Sequence, residues 1–374
     1  MRVLHVYRTY YPDPPGGLQE AIRQICLAVK PHGIHSTIFT LSPAPEPATI
    51  SYPEADVVRL RSWVAPASCD IGGLKAFTTF RRLASMADMV HYFFPWPFAD
   101  LLHQTLPSHT PAVMTYISDI VRQKCLGRMY TPLMHRTLSQ MRAIAASSPA
   151  YARTSPILTQ ARIHPKVQII PLGIAEPDQV RNAADIDIFL RLGLNAAQPY
   201  VLFLGVLRYY KGLHTIIQAA STIDAPIVIA GSGPEEHHLR SLAAAQRRPN
   251  IIFAGQVSDA EKHALLKHCT ALVLPSHLRS EAYGMVLIEA AMYARPLVSC
   301  EIGTGTSFIN QHNRTGFVVP PESPHELGAA LNTLVHDPAR ARSLGRAARR
   351  RYEEMFSGSV LGKAYADFFR SALQ

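Results

Sequence analysis

Short runs of β-branched and other apolar residues alternate with longer amphipathic stretches from one end of the chain to the other. That is the pattern of repeated βαβ units supplying a parallel sheet. In the first half the runs Arg2–Tyr7, Ser36–Leu41, Asp56–Leu60, Met89–Phe93, Ala112–Tyr116, Ala143–Ala146 and Val167–Ile170 read as strands. The stretch Leu18–Lys30 places Ile22, Ile25, Cys26 and Val29 on one face at helical spacing. A second series begins at Tyr200–Leu204 and continues through Ile227–Ala230, Ile251–Ala254, Ala271–Leu274 and Leu297–Ser299 to a weaker strand at Gly316–Val319. The expected fold class is α/β, with two Rossmann-like lobes whose parallel sheets present the carboxyl ends of their strands to a central cleft. The pattern assigns 1–172 to the first lobe, 173–198 to a linker holding one short helix (Ile186–Leu192), and 199–352 to the second lobe. A break at Phe356-Ser-Gly-Ser separates the helix Pro338–Tyr352 from a terminal helix Val360–Leu373 within 353–374.

Length and composition agree with two packed domains: 374 residues, 48% apolar and 17% charged. No apolar run approaches the ~18 residues that a membrane-crossing helix needs, and the first residues lack the apolar core of a signal peptide. A cytoplasmic protein is expected. Five cysteines, widely spaced and without a C-x-x-C pair, read as reduced, packed thiols rather than a disulfide framework or zinc site. The formal charge of +10 is concentrated between Arg59 and Lys166, where thirteen Lys and Arg face four Asp and no Glu. Such a stretch suits nucleotide phosphates or an anionic membrane surface. Nucleic acid is disfavoured, since no finger, helix-turn-helix or RNA-module signature is present.

Three elements carry candidate chemistry. After the first strand, Pro14-Pro15-Gly16-Gly17 opens a helix, and the paired glycines let backbone N–H groups approach an anion. The first strand of the second series runs into Leu204-Gly205-Val206-Leu207-Arg208-Tyr209-Tyr210-Lys211-Gly212, which sets Arg208 and Lys211 at a strand end beside a helix N-terminus. The third element is Ser280-Glu281-Ala282-Tyr283-Gly284-Met285 running on to Glu289. There Glu281 lies just before a helix, Gly284 lets the backbone come close to a ligand, and Glu289 sits inside the helix among apolar residues, where an unpaired carboxylate is costly. The triplet Asp185-Ile-Asp187 has a sufficient reason as helix-start residues, so no metal site is expected. His237-His238 reads as a surface pair.

The order and spacing of Leu204-Gly205…Lys211-Gly212, Gly231-Ser-Gly-Pro234 and Glu281-x7-Glu289 resemble the retaining glycosyltransferases of family 4, also called glycosyltransferase group 1. The resemblance spans nearly the whole chain and is densest from Tyr200 to Val319. It implies the GT-B arrangement, with the nucleotide-sugar donor on the second lobe, the acceptor on the first, and a final helix that crosses back to the first lobe. Lys211 is then expected at the donor diphosphate, together with Gly16, Gly17 and Arg208, and Glu289 at the nucleotide ribose. Glu281, the expected catalytic residue, would meet the transferred sugar and distal phosphate with the backbone around Tyr283, Gly284 and Met285. No cofactor or metal is implied beyond the nucleotide sugar, because cationic side chains and helix-end N–H groups neutralise the leaving diphosphate.

Three positions depart from the family pattern. Ile117 replaces a His expected after Thr115-Tyr116, Val206 replaces the Arg of a Gly-Arg pair, and Phe93 stands where a second His is common. Arg208, two residues beyond Val206, is the expected substitute for the missing guanidinium, and an apolar Ile117 suits a sugar lacking a hydroxyl. On the acceptor or sugar side we place His91, Ile117 and Asp119. The segment 118–124, with 207–212, resembles the mannosyl- and rhamnosyltransferases of bacterial surface polysaccharide assembly. This implies a hexose or deoxyhexose, a GDP-linked donor over UDP, and a lipid-linked glycan acceptor reached from the cytoplasmic face of the membrane. The competing expectation is a non-catalytic nucleotide-sugar or glycan-binding protein whose site has lost its polar groups at 93, 117 and 206; donor turnover by the purified protein separates the two.

Overall fold

The computed structural model describes residues 1–13, 16–65, 69–107, 109–120, 124–177, 183–195, 198–247 and 250–374. The chain divides into two compact units, Met1–Ala175 with Ser357–Gln374, and Glu176–Phe356.

The first unit is built on β1 (Arg2–Val6), β2 (His35–Ser42), β3 (Thr49–Ser51), β4 (Asp56–Val64), β5 (Ile71–Gly72), β6 (Met89–Phe94), β7 (Ala112–Tyr116), β8 (Ala143–Ala146) and β9 (Val167–Ile169). Its helices are α1 (Gly17–Val29), α2 (Leu74–Met86), α3 (Pro97–His103), α4 (Lys124–Gln140) and α5 (Pro149–Thr154). The strands lie in the order β3-β4-β2-β1-β6-β7-β8-β9, with β5 added beside β4. All pairings are parallel except those of β3 and β5 on β4. β6, β7 and β8 are buried at every position, as expected of parallel strands covered on both faces.

The second unit carries β10 (Val201–Leu204), β11 (Ile227–Ala230), β12 (Ile251–Gly255), β13 (Ala271–Leu274), β14 (Leu297–Cys300) and β15 (Gly316–Val319). They form an all-parallel sheet in the order β12-β11-β10-β13-β14-β15. Its helices are α6 (Ala183–Leu192), α7 (Leu213–Ala219), α8 (Glu236–Ala245), α9 (Asp259–His268), α10 (Met285–Met292), α11 (Thr306–Ile309), α12 (Pro324–His336) and α13 (Pro338–Met355). In each sheet the first strand is flanked by strands wound in opposite directions, so a topological switch point falls between β1 and β6 and between β10 and β13. Open α/β sheets bind ligands at the carboxyl ends there.

Residues 173–198 divide between the units rather than bridging them as one linker. Ile174 is buried in the first unit, and the Ala175 N–H donates to Gln24 Oε1 at 2.7 Å. α6 belongs to the second unit: Ile188 and Phe189 are buried, and Arg191 donates to Glu261 Oε1 at 2.7 Å and to the Ala254 carbonyl at 3.0 Å. α14 (Gly358–Leu373) packs on α1 in the first unit. The approach is so close that a Cβ on Gly362 would stand 2.2 Å from the Ala28 carbonyl oxygen. Asp185 and Asp187 carry side chains outside those described. Cys26, Cys269 and Cys300 are buried free thiols, each pushed up to about 12 by burial.

A line of polar groups crosses the core of the first unit. Ser36 Oγ on β2 lies 3.1 Å from His5 Nε2 on β1, His5 Nδ1 lies 3.1 Å from His91 Nδ1 on β6, His91 Nε2 lies 2.7 Å from Thr115 Oγ1 on β7, and Thr115 Oγ1 lies 3.0 Å from Tyr365 Oη on α14. His5 and His91 are wholly buried, and Phe93 and Phe369 pack on both rings. His91 therefore does not line an acceptor surface as the sequence reading expects: it is an interior member of the network that seats the terminal helix.

Burial lowers the His5 imidazole to about 3, and burial together with His5 holds His91 well below its ordinary value. The unfolded chain takes up protons below about pH 6.5 that these native imidazoles refuse, so stability is complete above that pH and falls as pH drops towards the native values. The loss amounts to about 1.4 kcal/mol per pH unit per imidazole. His103, lowered to about 4 by burial, acts in the same sense, whereas buried Asp100, raised to about 7, opposes it above pH 4. Denaturant midpoints should fall between pH 6.5 and 4, and His5→Asn should flatten the slope by about one proton. An unchanged slope in that variant would contradict the assignment.

Candidate active site

The loops after β10 and β13 meet at the switch point of the second unit. Beyond β10 the chain makes a short 3-10 turn over Tyr209–Lys211 and enters α7 through Gly212. Gly212 has φ +69°, and a Cβ there would lie 2.0 Å from the Pro275 carbonyl oxygen in the β13 loop. Glycine thus lets the two loops touch, and this contact brings Lys211 to Glu281. Lys211 Nζ forms an ion pair with Glu281 Oε2, both side chains being nearly buried. Ser276 Oγ donates to the same oxygen at 3.4 Å. Burial alone would lower the Lys211 ammonium, but the Glu281 carboxylate and Tyr210 outweigh it and hold the ammonium above the ordinary lysine value. Glu281 Oε1 keeps its accepting capacity, and a lysine ammonium has three donors, of which Glu281 takes one.

Gly284, at φ +92°, starts α10, whose first N–H groups have no acceptor within the helix. Tyr283 and Gly284 are buried, while Met285 is partly exposed at the first helical position. Glu289, one turn further on, receives a partner that its apolar neighbours did not suggest: Lys262 Nζ of α9 lies 3.1 Å from Glu289 Oε1 and 3.3 Å from Asp259. Burial would depress Lys262, yet Glu289 and Asp259 together raise it. The glutamate is thus paired and partly open to solvent.

Arg208 is exposed and lies near enough to Lys211 to oppose its charge. With Tyr209, His214, Glu235, His238 and Glu322 it lines a cleft of about 280 Å³ beside α7 and α8. His277, immediately after Ser276, is nine-tenths buried against the edges of Tyr209 and His214, and neither ring nitrogen has a hydrogen-bond partner among the described residues. Sequence reasoning passed over Ser276, His277 and Lys262. The position of Ser276-His277 at the end of β13 is the signal that marks the first two; nothing local marks Lys262.

In the first unit, Gly16 is the N-cap of α1 and Gly17 its first residue. Among the described residues, a Cβ on Gly17 would meet nothing within 4 Å, whereas one on Gly16 would stand 2.8 Å from Gln19 Oε1. Pro14 and Pro15 lie outside the described residues. Ile117 extends β7 by donating its N–H to the Phe94 carbonyl at 3.2 Å and is partly exposed. Asp119 is held by three hydroxyls: Tyr116 at 2.9 Å and Ser155 at 2.6 Å on Oδ1, and Tyr151 at 3.1 Å on Oδ2. That geometry makes it a knot joining β7 to α5. Among the described residues no group of three or more His, Cys, Asp or Glu is placed to hold a metal ion, and no helix is long and apolar enough to cross a membrane.

Comparison with known proteins decides the family. Residues 186–351 match the model for glycosyl transferases group 1, and 16–173 match a glycosyl transferase 4-like domain. The O-antigen chain mannosyltransferase C of Escherichia coli is 39% identical over 374 residues, covering 100% of this chain and 99% of that protein. The chain belongs to the group 1 glycosyltransferases. A second relative of this glycosyltransferase, the D-rhamnosyltransferase WbpZ of Pseudomonas aeruginosa, is 43% identical over 96% of the chain and 92% of its own length. Among solved structures, the sucrose-phosphate synthase of Thermosynechococcus elongatus superposes with a TM-score of 0.79 at 22% identity, covering 99% of this chain and 98% of that one. The two Rossmann-like units are accordingly those of a GT-B glycosyltransferase.

Proposed function

We propose that this glycosyltransferase moves a hexose or 6-deoxyhexose of the mannose or rhamnose type from a nucleoside diphosphate sugar, with GDP as the carrier, to a lipid-linked glycan, with retention of configuration and without a metal ion. The observation that carries the reading is the Lys211–Glu281 pair at the β10–β13 switch point, backed by the N-terminus of α10. As the bond from C1 to the diphosphate breaks, positive charge grows on the sugar ring and negative charge on the leaving phosphate. The Lys211 ammonium and the α10 N–H groups lie where they can stabilise the latter. Glu281 Oε1 accepts from a hydroxyl of the transferred sugar, and Glu289, paired with Lys262, accepts from the ribose. The acceptor oxygen bonds to C1 on the face the diphosphate leaves, and its proton passes to the departing phosphate oxygen. The names of the two relatives, an O-antigen chain mannosyltransferase and a D-rhamnosyltransferase, support the sugar class. A lipid-linked acceptor sets the enzyme at the cytoplasmic face of the membrane, held there by the basic first unit.

Thermal-shift titration with GDP, UDP, ADP and their sugars tests this reading, because a ligand that binds only the native state raises its melting temperature. GDP and its sugars should give the largest shift; shifts with UDP alone would contradict the base. Arg208→Ala should weaken donor binding by about 10- to 100-fold, the worth of a charge-assisted hydrogen bond. Unchanged affinity would remove Arg208 from the diphosphate site.

A further inference from the structure

Away from the switch point, the first unit exposes large apolar side chains together at one place. Trp63 is 73% exposed, Val64 57% and Leu74 84%, with Ile71 beside them. They adjoin one another by construction: Val64 pairs with Ile71 across the antiparallel β4–β5 ladder. The Trp63 ring lies over the backbone of Gly73, the residue before Leu74, so that a Cβ there would stand 2.9 Å from the ring.

The tip is firmly supported. Ser62 donates to Asp70 Oδ1 at 2.8 Å, and the buried Trp96 indole donates to the Asp70 carbonyl at 2.8 Å. Asp70 is the only acid between residues 57 and 87, and it is buried beside Arg8. Around the tip and along the solvent face of α2, Arg61, Lys75, Arg81 and Arg82 are exposed with no acidic side chain among them. Contiguous exposed apolar groups mark interaction surfaces. An indole and branched aliphatic side chains beside exposed cations of β4 and α2 match the boundary between acyl chains and anionic headgroups.

We propose that Trp63, Val64, Ile71 and Leu74 insert into the surface of an anionic bilayer, with Arg61, Lys75, Arg81 and Arg82 on its headgroups. The inference rests on the membrane-associated transferase proposed above and names the surface that makes the contact. Its occupant is a bilayer; a second copy of the chain is an outcome of the test.

The full-length protein is mixed with vesicles of phosphatidylethanolamine and phosphatidylglycerol, or of phosphatidylcholine alone, and binding is read by sedimentation and tryptophan emission. The chain has two tryptophans, and Trp96 is already buried, so a change in emission reports Trp63. Anionic vesicles should shift the emission to the blue, and brominated acyl chains should quench it; phosphatidylcholine vesicles should do neither, and added salt should weaken binding. Trp63→Ala and Leu74→Ser should each reduce partitioning at least tenfold. Lys75→Gln and Arg82→Gln should each reduce it about fivefold, equivalent to ~1 kcal/mol per basic residue near such a surface. All four substitutions lie on exposed positions and should leave the melting temperature and sugar transfer to a water-soluble acceptor unchanged. Vesicle binding unaltered by these variants would overturn the assignment while leaving membrane association intact. Vesicles that fail to bind an active wild-type enzyme would overturn both without touching the transferase reading. Self-association lost in Leu74→Ser, without vesicle binding, would assign the patch to a second copy instead.

Discussion

Lys211→Met should lower kcat/KM for sugar transfer by about 10²- to 10³-fold, the usual effect of deleting one preorganised stabiliser of developing negative charge. The ammonium lies at the carboxyl end of β10, nearly buried and already paired with Glu281 Oε2, so its position is set before any substrate arrives. Removing it also leaves the Glu281 carboxylate without its cation in a nearly buried setting, which should lower native stability by about 1–3 kcal/mol. Glu281→Gln separates the two effects: it keeps the shape, removes the negative charge, and should reduce turnover while the diphosphate still binds through Lys211. Steady-state kinetics alongside a melting curve for each variant checks this. Equal kcat/KM in wild type and Lys211→Met would show that the ion pair is structural only.

Gly212→Val should be strongly damaging to the second unit and to its site. The residue occupies the left-handed region, where a non-glycine side chain costs about 1–3 kcal/mol. The added Cβ would in addition be driven to within 2.0 Å of the Pro275 carbonyl oxygen, so the β10 and β13 loops would have to separate. A loss of at least about 3 kcal/mol follows, at the upper end of what single substitutions produce. Because the same contact brings Lys211 to Glu281, any folded fraction should bind donor poorly. Denaturant unfolding and donor titration on one preparation test both consequences. A stable variant with normal donor affinity would contradict the role given to this contact.

The sheet strands were legible because parallel strands covered on both faces are short, apolar and β-branched, as Ile227–Ala230 and Ala271–Leu274 are. β3 and β5 were not: three and two residues long, they exist only by pairing on β4. The Lys211 and Glu281 elements could be read from spacing, since each follows a strand and opens a helix. His91 misled for a physical reason. In a strand buried throughout, alternation does not separate the positions facing the core from those nearer the strand end, and its partners come from β1, β7 and α14, the last of them 250 residues beyond Thr115. The hydroxyls held by Asp119 were only partly legible, because Tyr116 is three residues away while Tyr151 and Ser155 lie 32 and 36 residues away. The cost of an unpaired carboxylate among apolar residues pointed to a function for Glu289, whereas the structure gives it a partner, Lys262, that stands on another helix and carries no local mark.

The most direct test supplies wild-type enzyme and Lys211→Met with GDP-mannose or GDP-rhamnose and a lipid-linked acceptor in the presence of EDTA, and determines the anomeric configuration of the product by NMR. The wild type should transfer the sugar with the anomeric configuration of the donor, and the variant should be nearly inactive. An inverted product, abolition of transfer by EDTA, or full transfer by the Lys211 variant would contradict the proposed mechanism.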